Sequence, residues 1–456
     1  MSKYGVLLAV SSLPGSHGIG DFGKQAYQFI FWLKKHGYSY WQILPLNPLG
    51  PGHSPYMSSC SEAIDPRYMS LDELTKEGLL PKVRKYRYVS SKVNYEKVAS
   101  FKEKYLKIAF NNDSNKEKLA VFKEENEWVE QFARFTVLKE KYNQAPWNSW
   151  DGSMEATEEE CAFHIWCQMK AYEQWNKVRA FAKENGISII ADCPFYVGLE
   201  SVDCWSHKNE FVMDEKYQPT LVSGCPPDAF SDDGQLWGTP IYNFEKMKEN
   251  GYSFLINRLG NLSKTCDILR LDHFRAFDTY CVIPAEDENA KRGEWKIGPR
   301  FEFFDKLYQQ FPNISLIAED LGEIFQSVHE LRDHYHLPGM YVAEFMVFDE
   351  HLVSNENQVV YPGTHDNDTI KGWIKSLSEE QKQYLEKKFE SKELVHAFKH
   401  YVWNLPSKIT IFLIQDLLNL GRKSRMNFPG TMGSPNWEFK LRSMSQLCWP
   451  SYRKVK

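Results

Sequence analysis

The apolar positions of this chain gather into short dense runs, separated by longer stretches of helical period. Eight runs read as strands, at residues 4–10, 39–44, 187–192, 267–272, 315–320, 340–345, 359–363 and 409–414. Each is short and bounded by turn formers or charges, as buried strands are. Residues 24–36, 158–184, 322–334 and 379–389 carry the helical period, and Thr157 is placed to cap the second of these. Eight strands alternating with helices predict an α/β chain folded as a (β/α)8 TIM barrel, more than an open doubly wound sheet. Two stretches interrupt the rhythm. Residues 67–150, after the second strand, are charged and helical in period, and read as an inserted subdomain. Residues 195–262, after the third, are rich in turns and aromatics, and read as an inserted lid. The whole chain, 1–456, is then one catalytic barrel carrying both.

Composition narrows the classes. The 456 residues carry a net charge of −5, which argues against a nucleic-acid backbone as the main partner. Aromatic residues reach 15%, with 14 Trp and 24 Tyr, which suits stacking on sugar rings or bases. The nine cysteines are scattered without a C-x-x-C pair, as expected of reduced thiols in a cytoplasmic protein. Residues 4–10 are too short for a signal peptide core and lack a cleavage site, and no run reaches the ~20 apolar residues of a membrane span.

The chemistry gathers where strands end, which is where a barrel places its catalytic groups. Asp192, Asp272, Glu319 and Asp366 all hold such positions. Because a strand alternates faces, Arg270 and Asp272 share one side, and the guanidinium can hold the carboxylate ionised and oriented. The same two residues also read as an ordinary ion pair. Glu319 and Asp320 point opposite ways, and Asp320 reads as a helix cap. Asp368 reads as the N-cap of a helix starting near Ile370. Several acids at one mouth, ringed by aromatics, point to cleavage of a glycosidic bond, which needs a proton donor and a second carboxylate. A metal site is the runner-up, but Asp272–His273 and His365–Asp366 are adjacent, not spaced as helical ligand pairs, and Asp366-x-Asp368 lacks the rest of a calcium loop. The stretch Gly18–Gly23 matches a dinucleotide fingerprint in form, yet no acid follows it between Asp21 and Glu62.

Nearly the whole chain then resembles a known family. The stretches SSLPGSHGIGDFG (11–23), WQILPL (41–46) with SPY (54–56), IIADCPFYV (189–197) and PPDAFSDDGQLWG (226–238) appear in the order of the 4-α-glucanotransferases of the α-amylase clan. LRLDHFRAF (269–277), IAEDLG (317–322), LPGM (337–340), GTHDNDT (363–369) and RMNFPGT with NW continue it. The resemblance implies Asp272 as nucleophile, Glu319 as acid and base, and Asp366 as the carboxylate that grips the donor sugar. It implies Arg270 as orienter of Asp272, His273 and His365 as donor-site hydrogen-bonding groups, and Tyr56 as a stacking platform. Asp192, Phe230, Gln235, Trp237 and Asn436 match cleft-lining positions. Ala229, Pro51 and His53 depart from residues common in the family, so simple disproportionation is implied more directly than large cyclic products. No cofactor and no metal are implied. The substrates are α-1,4-glucans (maltose, maltotriose, maltodextrins), with glucose as an acceptor, and no nucleic acid or membrane. The oligomeric state stays open between monomer and weak dimer. A hydrolase of the same glucans, or a glucan-binding protein without activity, are the alternatives.

Overall fold

The computed structural model describes residues 3–84, 90–115, 117–227, 233–322 and 324–448. Its centre is an eight-stranded parallel sheet built from β1 (Lys3–Leu7), β2 (Tyr40–Gln42), β3 (Ser188–Cys193), β6 (Ile268–Leu271), β9 (Leu316–Ala318), β10 (Gly339–Val342), β11 (Gln358–Tyr361) and β12 (Ile409–Leu413). The spatial order is β10-β11-β12-β1-β2-β3-β6-β9, so each of these strands lies beside its sequence neighbour within the set. The ring closes between β9 and β10, where the Ala318 amide donates to the Pro338 carbonyl at 2.9 Å. This is the (β/α)8 architecture expected from the strand count. The strands are shorter than their apolar runs, because residues past their C-terminal ends leave the ladder to form the mouth.

Asp320 does not cap a helix. One carboxylate oxygen accepts the Met340 amide at 2.7 Å, and the other pairs with Arg332. It therefore stitches the closing seam immediately behind Glu319. The helix beginning at Ile370 is capped by Thr369, whose hydroxyl accepts from Gly372, and not by Asp368. Asp368 instead accepts the Thr369 amide at 2.8 Å.

Helix Glu158–Glu184 starts at Thr157 with a capping box closed by Glu160, as its sequence suggested. It also anchors the long loop after β2. Gln168 exchanges hydrogen bonds with the backbone of Ile64, and Gln174 does the same with Ser70. Four helices (Leu71–Lys76, Tyr95–Asn112, Glu117–Glu125 and Trp128–Lys141) fill the charged stretch, and their buried residues, such as Val98, Val129 and Phe135, join the core of the barrel. Much of the aromatic content is core: Trp41, Trp166 and Trp175 are fully buried. The glycines of 18–23 are explained by packing, since a Cβ on Gly20 would lie 1.9 Å from the Val10 carbonyl oxygen.

Sequence periodicity gave no strands to the aromatic stretch after β3, yet two form there. β4 (Leu221–Cys225) and β5 (Gln235–Pro240) pair with β7 (Thr279–Pro284) and β8 (Glu294–Ile297) in a second, antiparallel sheet ordered β5-β4-β7-β8. Half of that sheet thus follows the Asp272 strand. It is pinned to the mouth by Arg275, whose guanidinium lies 3.7 Å from the Trp295 ring and 4.9 Å from that of Phe325. Asp320→Ala should lower unfolding free energy by about 2–4 kcal/mol, since it leaves the buried Met340 amide unpaired and takes from Arg332 its buried partner, leaving only Asp333. Denaturant titration checks this, and a loss below about 1 kcal/mol would show that the seam does not depend on Asp320.

Candidate active site

The site begins with one buried guanidinium. Arg270 and Asp192 are direct partners in the β3–β6 register, so both point into the barrel. Arg270 Nη1 donates to the two oxygens of Asp192 at 2.6 and 2.7 Å and to Asp272 Oδ1 at 2.9 Å. Its Nε lies 3.4 Å from the Met340 sulfur. Burial works against the charged arginine, but Asp192 and Asp272 more than offset it and hold its pKa above the ordinary value.

Two strand ends then bring two acids together. β6 and β9 are neighbours with Leu271 opposite Ala318, so Asp272 and Glu319 leave adjacent strands at the same level. Glu319 is held by its backbone, which accepts from Phe274 at 3.0 Å, and by its side chain, where Oε2 accepts the His273 amide at 2.6 Å. His273 has φ +52°, a left-handed conformation that turns its amide onto Glu319. Burial raises the Asp272 carboxyl to about 6, with Arg270 pulling it back and Asp192 and Asp366 adding to the rise. Burial raises Glu319 well above the carboxylate range, again against Arg270 and with a contribution from Asp272. The two carboxyls therefore sit in unequal environments, with the Arg270 cation hydrogen-bonded to Asp272 and acting on Glu319 only at a distance. Environments that push two acids apart in this way are how one site runs acid and base chemistry together.

A chain of hydrogen bonds links this pair to a third acid. The Tyr56 hydroxyl donates to Asp192 Oδ2 at 2.8 Å and lies 2.8 Å from His365 Nε2. His365 Nε2 is in turn 3.3 Å from Asp366 Oδ2. The Tyr56 and His365 rings stack at 5.3 Å, and Trp437 packs against both. Asp366 is the most open of the three acids, its side chain 44% exposed against 28% for Asp272.

The remaining expected residues sit differently. Trp237 stands edge-on to His273 with ring centroids 4.8 Å apart, and its indole N–H donates to Gln235 at 3.2 Å. Burial lowers the His273 imidazole to about 3, and its Nε2 has no hydrogen-bond partner among the described residues. Asn436 is 1% exposed and its amide is occupied: it accepts from the Phe428 amide and donates to Thr431. It braces the 428–436 loop and does not line open space. Phe230 and Ala229 lie outside the described residues. Asp192 has no exposed side-chain surface, so it faces Arg270 and Tyr56 alone. Among the described residues no group of three or more His, Cys, Asp or Glu is arranged to hold a metal ion.

Asn427 was not among the expected residues, although the RMNFPGT stretch contains it. Its amide donates to Asp366 Oδ1 at 2.6 Å. No local periodicity could reveal a contact between residues 61 apart in sequence.

Three acids converging on the mouth of a parallel barrel are an arrangement suited to a carbohydrate-active enzyme. The model of the 4-alpha-glucanotransferase family, glycoside hydrolase family 77, matches residues 8–445. A 4-alpha-glucanotransferase of Aquifex aeolicus is 38% identical over 97% of this chain and 96% of its own length. One from Streptococcus pneumoniae serotype 4 is 36% identical over 96% and 92%. The solved amylomaltase of Streptococcus agalactiae, in complex with acarbose, superposes with a TM-score of 0.92 at 32% identity, covering 98% of this chain and 97% of that one. The chain belongs to the 4-alpha-glucanotransferase family, and its activity is that of a transferase on the amylomaltase fold.

Tyr56→Phe keeps the ring but cuts the bridge from Asp192 to His365. The transferase kcat should fall about ten- to a hundredfold, with KM changed far less, because hydrogen bonds to buried charges are among the strongest. Steady-state kinetics on maltotriose check this. An unchanged kcat would mean that Tyr56 acts through its ring alone.

Proposed function

We propose that the chain moves α-1,4-glucan segments from a maltodextrin donor to the 4-hydroxyl of glucose or another maltodextrin by retaining double displacement. Asp272 attacks the anomeric carbon through the oxygen that Arg270 leaves free. Glu319 gives its proton to the departing 4-oxygen. Because Oε2 accepts the His273 amide, that proton belongs on Oε1. In the second half, ionised Glu319 takes the proton of an acceptor hydroxyl, which displaces Asp272 from the same carbon. Two inversions at one centre retain its configuration. Asp366, oriented by His365, grips the hydroxyls of the distorted donor sugar, and Tyr56 and Trp237 flank it. His273 stays neutral and offers its free Nε2 to the same sugar.

The placement of Asp272 and Glu319 on adjacent strand ends in unequal environments, only the first hydrogen-bonded to Arg270, carries this reading. The bound acarbose of the Streptococcus agalactiae amylomaltase supports a glucan-like ligand in the mouth. Residues 67–150 and 195–262 act as inserted subdomains, the second a lid with β7 and β8 that keeps water from the intermediate. The eight free cysteines among the described residues support a reducing, cytoplasmic setting.

Incubation with maltotriose should give glucose and a ladder of longer maltodextrins at constant total reducing ends. Rising reducing ends with only shorter sugars would make the protein a hydrolase, and unchanged maltotriose a binding protein. Asp272→Asn should abolish turnover while maltose binding survives; near wild-type activity would mean that Asp272 is not the nucleophile. Below about pH 6, kcat/KM should fall roughly tenfold per unit as Asp272 is protonated. A rate that stays flat to about pH 4.5 would sink that assignment.

A further inference from the structure

We infer that Asn427 is a positioning residue for the reaction, holding the carboxylate of Asp366 in one rotamer. This rests on the reading of Asp366 given above. Asp366 follows β11 in an open loop, and its side chain is 44% exposed, so nothing in the strand itself fixes where it points. Asn427 supplies that constraint. Its amide nitrogen donates to Asp366 Oδ1 at 2.6 Å, and its backbone N–H donates to the His365 carbonyl at 3.2 Å. Oδ2 is thereby left facing His365 Nε2 at 3.3 Å. An amide is suited to this position because it donates without carrying charge. A carboxylate there would repel Asp366, and an ammonium would neutralise it.

Asn427 is itself held on both sides. Met426 is buried, and its carbonyl accepts the Trp437 amide at 2.7 Å. Phe428 receives the Asn436 oxygen on its amide at 2.8 Å and covers the Arg425 guanidinium at 4.7 Å. Arg425 donates Nε to the Asn427 carbonyl and Nη2 to the Asp366 carbonyl. The two loops are thus joined by backbone and side chain together. Asn436, expected to line the cleft, acts here through Phe428 and Asn427.

The test uses the full chain in maltotriose disproportionation, with kcat, KM and the pH profile of kcat/KM read for Asp366→Asn, Asn427→Ala and Asn427→Asp. Asn427→Ala should lower kcat about ten- to a hundredfold with KM nearly unchanged, since the ring platform and the other acids are untouched. Asn427→Asp is isosteric, so it reports even if the alanine variant folds poorly. It should work only while the two carboxyls share one proton, which moves the alkaline limb of kcat/KM to lower pH. A variant that merely loosened the loop would leave that limb in place. If Asn427→Asp keeps the wild-type alkaline limb, the inference is overturned, whatever its rate. If Asp366→Asn is itself near wild type, it is the assignment of Asp366 that falls, and the two failures are told apart.

Discussion

Everything at the mouth of this barrel depends on keeping a guanidinium charged where water does not reach. Arg270 is 3% exposed. A lone buried charge of this kind is untenable, and a pair is tolerable only when its hydrogen bonds are met. Asp192, directly opposite in the strand register, satisfies that condition and has no other task than to bind Arg270 and Tyr56. With Asp192 spent on it, Arg270 still has a donor for Asp272. The nucleophile candidate is therefore oriented by a cation that is itself oriented by a second anion. The Arg270 register position follows from parallel pairing alone.

The barrel makes this arrangement rigid, and the loops make it specific. Asp272 and Glu319 leave adjacent strands, so their separation is set by the sheet. Asp366 comes from a loop, and its geometry must be imported from elsewhere. The loop after β2 brings Tyr56, tied to the long helix by Gln168 and Gln174. The loop after β12 brings Asn427 and Trp437, tied to the helical stretch by Tyr95, whose hydroxyl donates to the Trp437 carbonyl. The helical stretch between β2 and β3 thus reaches the chemistry through the segment that carries Trp437, which Tyr95 and the Val93 amide both hold.

The barrel and its acids were legible because they rest on local signals. Apolar runs mark the strands, and an acid at the end of such a run marks the mouth. Strand ends were overrun, since residues such as Asp320 and Phe345 continue the apolar or acidic texture after the ladder has stopped. Contacts across distant residues were not legible. Asp320 looks like a cap until Arg332 and Met340 are seen beside it. Asn436 matches a cleft position, yet its amide is consumed by Phe428 and Thr431. The second sheet escaped because β4 and β5 are threaded with Ser, Gly and Pro and pair with strands that lie past the Asp272 strand.

The donors also differ from one acid to the next. Tyr56 has a single hydroxyl proton and gives it to Asp192, which can only accept. His365 Nε2, 2.8 Å away, must then be the donor to Tyr56, and its proton is shared with Asp366 at 3.3 Å. Asp366 further receives Asn427, and Asp272 receives Arg270. Both are met by side-chain donors. Glu319 receives a neutral backbone amide and, among the described residues, no ion pair. Burial raises it well above the carboxylate range, opposed by Arg270 only at a distance. On the proposed reading, the acid of the site is the carboxyl to which the fold gives no hydrogen-bonded cation among the described residues.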